Sequence, residues 1–210
     1  MSSTIATPMN SSAGALPQHK RAAAPGTLQA MKTERYSSSG IWIGVFTITM
    51  SFAAFTSALF VREGTTDWTH LVLPPVLYVN TLLLLASSGT LEMARHKLNE
   101  AGGTRRASAW VLLTLLLGLA FCVGQYRAWL DLRAEGIYLA TNPNSSFFYV
   151  LTFLHVLHVN AGLFALVYFA GRLMASHSTF HRNLFENTRV YWHFMGVLWV
   201  YLLLLCRMKL

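Results

Sequence analysis

Apolar residues along this chain gather into five long runs, each bounded by short polar segments. The uncharged stretches are Ile41 to Val61, Leu71 to Leu91, Ala107 to Tyr126, Phe147 to Gly171 and Val190 to Cys206. At about 1.5 Å of rise per helical residue, each can cross a hydrocarbon layer about 30 Å thick, the last only just. Lipid offers no partner to a backbone amide or carbonyl, so such runs must be helices. The pattern predicts an all-α integral membrane bundle, residues 40–210, with helices at about 41–61, 71–94, 107–130, 147–173 and 189–206. Residues 1–39, rich in Ser, Ala, Pro and Gly, read as a flexible basic cytoplasmic tail with no apolar stretch of signal-peptide length.

The loops alternate in positive charge. One side holds Lys20, Arg21, Lys32, Arg35, Arg95, Lys97, Arg105, Arg106, Arg172, Arg182 and Arg189, eleven in all. The other holds five, Arg62, Arg127, Arg133, Arg207 and Lys209, among Glu63, Asp67, Asp131 and Glu135. Positive charge is retained in the cytoplasm, which predicts a cytoplasmic N-terminus and, after five crossings, an outside C-terminus.

Composition narrows the picture further. With 54% hydrophobic and 11% charged residues in 210, the expectation is one membrane domain without a separate soluble one. The formal charge of +8 lies in juxtamembrane loops, where it sets topology and meets anionic lipid, and forms no stripe for nucleic acid. Cys122 and Cys206 fall inside apolar helices and read as small hydrophobes. There is no Gly-rich phosphate loop, paired-carboxylate constellation, nucleophile elbow or repeat. The tail, with Glu34 as its one acid, slightly resembles an organellar transit peptide.

Several residues interrupt the apolar runs. Ala54 and Ala58 have small-xxx-small spacing that permits close helix contact. Pro74 and Pro75 are expected four and five residues into the second helix, shaping its start. Glu92, with Arg95 three residues on, is a carboxylate near the cytoplasmic boundary and reads as an ion pair before a proton site. Asn142-Pro143-Asn144 marks a turn in the outer loop.

The sharpest local signal is FLHVLHVNAG, Phe153 to Gly162, which places His155 and His158 on one helical face within the membrane. His193, in YWHF, is a third intramembrane histidine. Three readings remain open on residues alone. Histidines can ligate haem in a helix bundle, although His158 and His193 differ in depth by about 8 Å. They can hold zinc or a di-iron centre, but no Glu-x-x-His or Cys cluster accompanies them. They can instead hydrogen-bond neighbouring helices and fix packing, or line a proton path.

Taken jointly, the motifs resemble subunit III of the haem-copper respiratory oxidases, in its five-helix bacterial form. The run FFYVLTFLHVLHVNAG is similar to that family's pattern through Phe148, Tyr149, His155, His158 and Gly162. FENTRVYWHFMGVLW is similar to its last helix through Glu186, Tyr191, Trp192, His193, Phe194 and Trp199. Asn80, Thr81, Ser87, Ser88 and Gln125 are weaker matches, and the resemblance runs from about Gly40 to Cys206. Two positions depart from the pattern: Ile48 stands where the family has a glutamate, and Gly196 where it often has an aspartate.

The resemblance implies a multi-pass protein of the bacterial cytoplasmic membrane that carries no haem, copper or other metal and has no catalytic residue. It would pack beside the catalytic subunit I and other oxidase subunits, hold phospholipid in a cleft and sustain proton uptake. It would also protect a centre that reduces dioxygen with electrons from cytochrome c or quinol while protons cross the membrane. His155, His158, Gly162, Glu186, Tyr191, Trp192, His193 and Trp199 become candidates for structural, lipid or subunit contacts. No nucleic acid is expected. The competing reading is a free-standing cytochrome b with His155 or His158 and His193 as ligands; a small transporter is a more distant one.

Overall fold

The computed structural model describes residues 25–63, 73–100, 103–174 and 182–209, with side chains of the first helix described from Gly40. Among them every regular element is helical: α1 (Pro25–Glu63), α2 (Val76–Leu98), α3 (Thr104–Ala134), α4 (Pro143–Met174) and α5 (Arg182–Lys209). All five are long and apolar enough to cross a membrane. Successive helices α2 to α5 pack in a ring, α2 on α3, α3 on α4, α4 on α5 and α5 back on α2. This is an antiparallel four-helix bundle joined by short connections. The helix α1 stands outside it, packed against α4 and α5, and is the least buried of the five.

The helices overrun the apolar runs that announced them. The segment 25–39, expected as a flexible tail, is helical from Pro25 onward. Proline suits a first helical position because its ring presets φ and its missing amide hydrogen would have no partner there, and LQAMKTER that follows is rich in helix formers. Residues 1–24 of that tail lie outside the described residues. The helix α2 starts later than expected, at Val76, with Pro75 as its N-cap. Both prolines therefore precede the helix, where no turn lies behind them to be disrupted. At α4 the Asn142-Pro143 turn is itself the helix start: the Asn142 amide donates to Ser145 Oγ at 3.1 Å, and Pro143 takes the first helical position.

The end of α3 is set by Gly136. Its φ of 78° lets the chain reverse, with the Ile137 amide donating to the Leu132 carbonyl at 2.9 Å and the Gly136 amide to that of Arg133 at 3.0 Å. This paired closure recovers two carbonyls that the last turn would leave open. It also brings Ile137 back to pack against the core and to accept the Tyr149 hydroxyl at 2.9 Å, so α3 and α4 are tied at this end of the bundle.

Candidate functional site

Adjacent helices pack side by side in the bundle, but the backbones of the diagonal pair α3 and α5 do not meet. Two tryptophans of α5 fill the space between them. Trp192, 1% exposed, donates from its indole to Ser87 Oγ of α2 at 3.0 Å. Its ring lies over two glycines: a Cβ on Gly118 of α3 would come within 2.8 Å of it, and one on Gly162 of α4 within 3.1 Å. One side chain thus touches three helices, and small residues on two of them make its room. Beside it, Tyr191 donates to the His158 carbonyl at 2.8 Å, so α5 and α4 are joined in the same layer.

Seven residues on, two helical turns along the same face, Trp199 repeats the arrangement. Its indole donates to Thr81 Oγ1 of α2 at 3.0 Å. Its ring meets Phe121 of α3 edge-on at 4.9 Å and His155 of α4 at 5.1 Å and 32°. Phe121 closes the third side at 5.9 Å from His155. His155 is fully buried, and neither ring nitrogen has a hydrogen-bond partner among the described residues.

At the end where α2 finishes and α5 begins, four charges close into a ring. Glu92 accepts from Arg95 at 3.0 Å and from Arg189 at 3.0 Å. Glu186 accepts from Arg95 at 3.1 Å and from Arg189 at 2.9 Å. Two glutamates and two arginines, one of each from either helix, therefore cancel in charge while each carboxylate receives two donors. His193 Nε2 stands 3.7 Å from Glu92 Oε2, at the ring's inner edge. The side chains remain 21 to 37% exposed, as fits a membrane boundary. Because the charges satisfy one another, α5 can begin at Arg182, before the uncharged run that starts at Val190.

The expected site residues thus fall into three layers: Gly162, Tyr191, Trp192 and the His158 backbone; His155 with Trp199; and Glu186 with His193. The three histidines do not converge. His158 Nδ1 donates to the Leu154 carbonyl of its own helix at 2.7 Å, and its ring meets Phe52 of α1 edge-on at 6.0 Å. The expectation that all three bridge helices by hydrogen bonds is corrected here. His155 packs through its ring, His158 bonds within α4, and only His193 faces a partner on another helix. A bis-histidine haem needs two imidazoles facing each other across a porphyrin-wide slot. His155 is instead closed in by two aromatic rings and His193 is turned to Glu92, so these residues do not fit one.

Glu92 forms the ion pair expected of it, but Arg189 and Glu186 complete a ring that motif reading did not find. The signal was present as two Glu-x-x-Arg pairs, Glu92 with Arg95 and Glu186 with Arg189. Gly118 and Phe121 carried no comparable signal. Ile48 is 8% exposed and belongs to the apolar core. A Cβ on Gly196 would meet only Ser88 Oγ, at 3.4 Å.

Residues 39–208 match the family described as "Cytochrome c oxidase subunit III". The chain belongs to that family. It is 29% identical to "Quinol oxidase subunit 3" of Bacillus spizizenii over 88% of this chain and 92% of that one. Its identity to "Cytochrome c oxidase subunit 3" of Synechocystis is 31%, over 80% and 70% of the two chains. "Probable cytochrome c oxidase subunit 3" of Mycobacterium leprae is 32% identical over 57% of this chain, and the match spans 59% of that relative's length. This member of the subunit III family is a multi-pass protein of the bacterial cytoplasmic membrane, built on five spanning helices.

Proposed function

We propose that the chain is an accessory, non-redox subunit of a haem-copper terminal oxidase, packed by apolar helix faces beside the catalytic subunit. The observation that carries this reading is the use the bundle makes of its chemical residues. Two tryptophans, two glycines, the histidines and the ionic ring all join helices, and none is arranged as a nucleophile with its base or as a ligand set. Among the described residues no group of three or more His, Cys, Asp or Glu is placed to hold a metal. Electron transfer and dioxygen chemistry then belong to partner subunits, with cytochrome c or quinol as donor. This chain's part is to brace the catalytic subunit, to hold phospholipid at its surface and to sustain proton uptake. The eleven-to-five split of basic residues supports an orientation with the ionic ring at the cytoplasmic face and Leu210 outside.

The test is oxygen consumption followed over repeated turnovers, with the chain present and with it stripped from the purified complex. The stripped oxidase should start at an undiminished rate, with its haem spectrum intact, and then lose activity. An immediate complete loss accompanied by loss of a haem band would show that the chain itself carries redox chemistry.

A further inference from the structure

A groove of about 440 Å³ opens on the outside of the bundle where α2 meets α5, within the size range of small-molecule sites. Leu85 and Ser88 line it from α2, His193 and Gly196 from α5. Its polar groups gather at one end. Ser87 is taken by the Trp192 indole, whereas Ser88 Oγ faces the groove, 3.4 Å from where a Cβ on Gly196 would stand. Gly196 thus leaves a bare stretch of backbone, with Ser88 at its side and the His193 imidazole one helical turn away. Beyond this end the walls are apolar. Val197, Val200 and Leu204 continue along α5, and the Tyr201 hydroxyl is turned to Thr56 of α1 at 3.0 Å, so only its ring is offered. From His193 to Leu204 is about 16 Å.

Depth and charge decide what fits. His193 lies three residues inside the uncharged run that begins at Val190, and Ser88 four residues before Glu92, so both polar groups stand about 5 Å within the hydrocarbon. No Lys or Arg is among the residues that line the groove, and Arg95 and Arg189 of the neighbouring ring are each held by two carboxylates. A phosphate headgroup would have to leave its own layer to reach this end, and would gain no ion pair there. The head that fits is uncharged, flat enough to lie on bare backbone, and joined to a long apolar tail. His193 adds a redox preference. Its Nε2 faces Glu92 Oε2 at 3.7 Å, which favours the proton on that nitrogen and leaves Nδ1 as an acceptor. A hydroquinone hydroxyl can donate to that nitrogen; a quinone carbonyl, itself an acceptor, cannot.

We propose that this groove seats a membrane hydroquinone, its ring on Gly196 between His193 and Ser88 and its apolar tail along Val197, Val200 and Leu204. Binding alone is assigned: the hydroquinone enters and leaves in the same redox state. Its use, a store of reductant beside the catalytic subunit, rests on the proposed function, while the binding is a property of this chain. The experiment uses the full chain in an uncharged detergent, without oxygen, titrated by native mass spectrometry with decylubiquinol and, separately, decylubiquinone. The hydroquinone should bind one per chain, about fivefold tighter than the quinone, as one hydrogen bond implies. His193→Phe should remove that preference, Ser88→Ala should weaken both forms, and Gly196→Leu, which fills the notch, should exclude them. His96→Gln, at the same end but outside the groove, should leave both unchanged. Neither phosphatidylglycerol nor farnesol should displace the hydroquinone.

Equal affinity of the native chain for the two redox forms would overturn the assignment, as would unaltered binding to the Gly196→Leu variant. So would displacement by either competitor, which would make the groove a site for any amphiphile, or polypeptide from another subunit filling it in the assembled complex. A chain that binds hydroquinone selectively yet copurifies with no oxidase would sink the proposed function and leave the seat standing. An oxidase that retains this chain, with no such selectivity in the chain, would do the reverse.

Discussion

Gly118 and Gly162 matter because of what lies over them. A methyl group on Gly118 would come 2.8 Å from the Trp192 ring and from Leu163 Cδ2, below any ordinary contact, and one on Gly162 would come 3.1 Å from Tyr191 and Trp192. Overpacking of this kind costs roughly 1–3 kcal/mol. Gly118→Ala should therefore lower the thermal midpoint of the purified chain more than Gly162→Ala, and Gly44→Ala, whose Cβ meets nothing within 4 Å, should leave it in place. His155 makes the opposite case. Its two nitrogens are buried without partners among the described residues, and an unpaired buried polar group costs about 1–3 kcal/mol. His155→Leu, of similar volume, should hold or raise the midpoint in the same measurement. A fall would mean that the imidazole is hydrogen-bonded to water held in the core of the chain itself. Ile48→Glu would put a carboxylate into a position now 8% exposed, at a cost of about 2.5 kcal/mol or more at mid-membrane. Its expected signature is a changed pH profile of oxidase turnover, with the complex still assembled.

At the scale of elements, the ionic ring joins two helices that sequence separates by about ninety residues, since Arg95 to Glu186 and Glu92 to Arg189 are the ring's own two ion pairs between α2 and α5. Each variant that removes one charge leaves an uncancelled charge in a half-buried ring. A double-mutant cycle on Glu92→Gln and Arg189→Gln should show a coupling of roughly 0.5–3 kcal/mol in unfolding, whereas two independent surface charges would add with none. This ring also shows where the sequence stops being legible. The five spans could be read because lipid forces every apolar run into a helix, and the pairs Glu92 with Arg95 and Glu186 with Arg189 could be read from their spacing on one helix. Nothing in the spacing says that α2 lies against α5, so the closure of four charges, like the seat of Trp192 on Gly118, could not be seen before the helices were placed. Helix ends were missed for a related reason. Hydropathy marks the membrane core, while Pro25, Pro143 and Gly136 set ends through backbone geometry outside it.

The whole molecule is a four-helix bundle with α1 against one flank, and its two ends differ chemically in a way that bears on orientation. One end gathers the ionic ring together with Lys97, Arg105, Arg106 and Arg172, and the other has Arg133 and the Lys209 to Glu63 pair at 3.0 Å, which ties α5 to α1. Ring arginines are neutralised by Glu92 and Glu186 once the bundle is folded, but membrane insertion is decided while the helices are still being placed, when each Lys or Arg acts singly. All eleven therefore count toward retention on the cytoplasmic side, and the folded ring does not weaken the orientation. Alkaline phosphatase fused after Leu210 should consequently be active outside the cytoplasm, and the same enzyme fused at Gly102, between α2 and α3, should be inactive. The informative variant replaces Arg105 and Arg106 with Gln: it removes two loop charges while keeping the ring, and it should leave both fusions unchanged because nine basic residues still face five. Activity at Gly102 in the native chain would reverse the orientation, moving the ring and the groove beside His193 to the outer face.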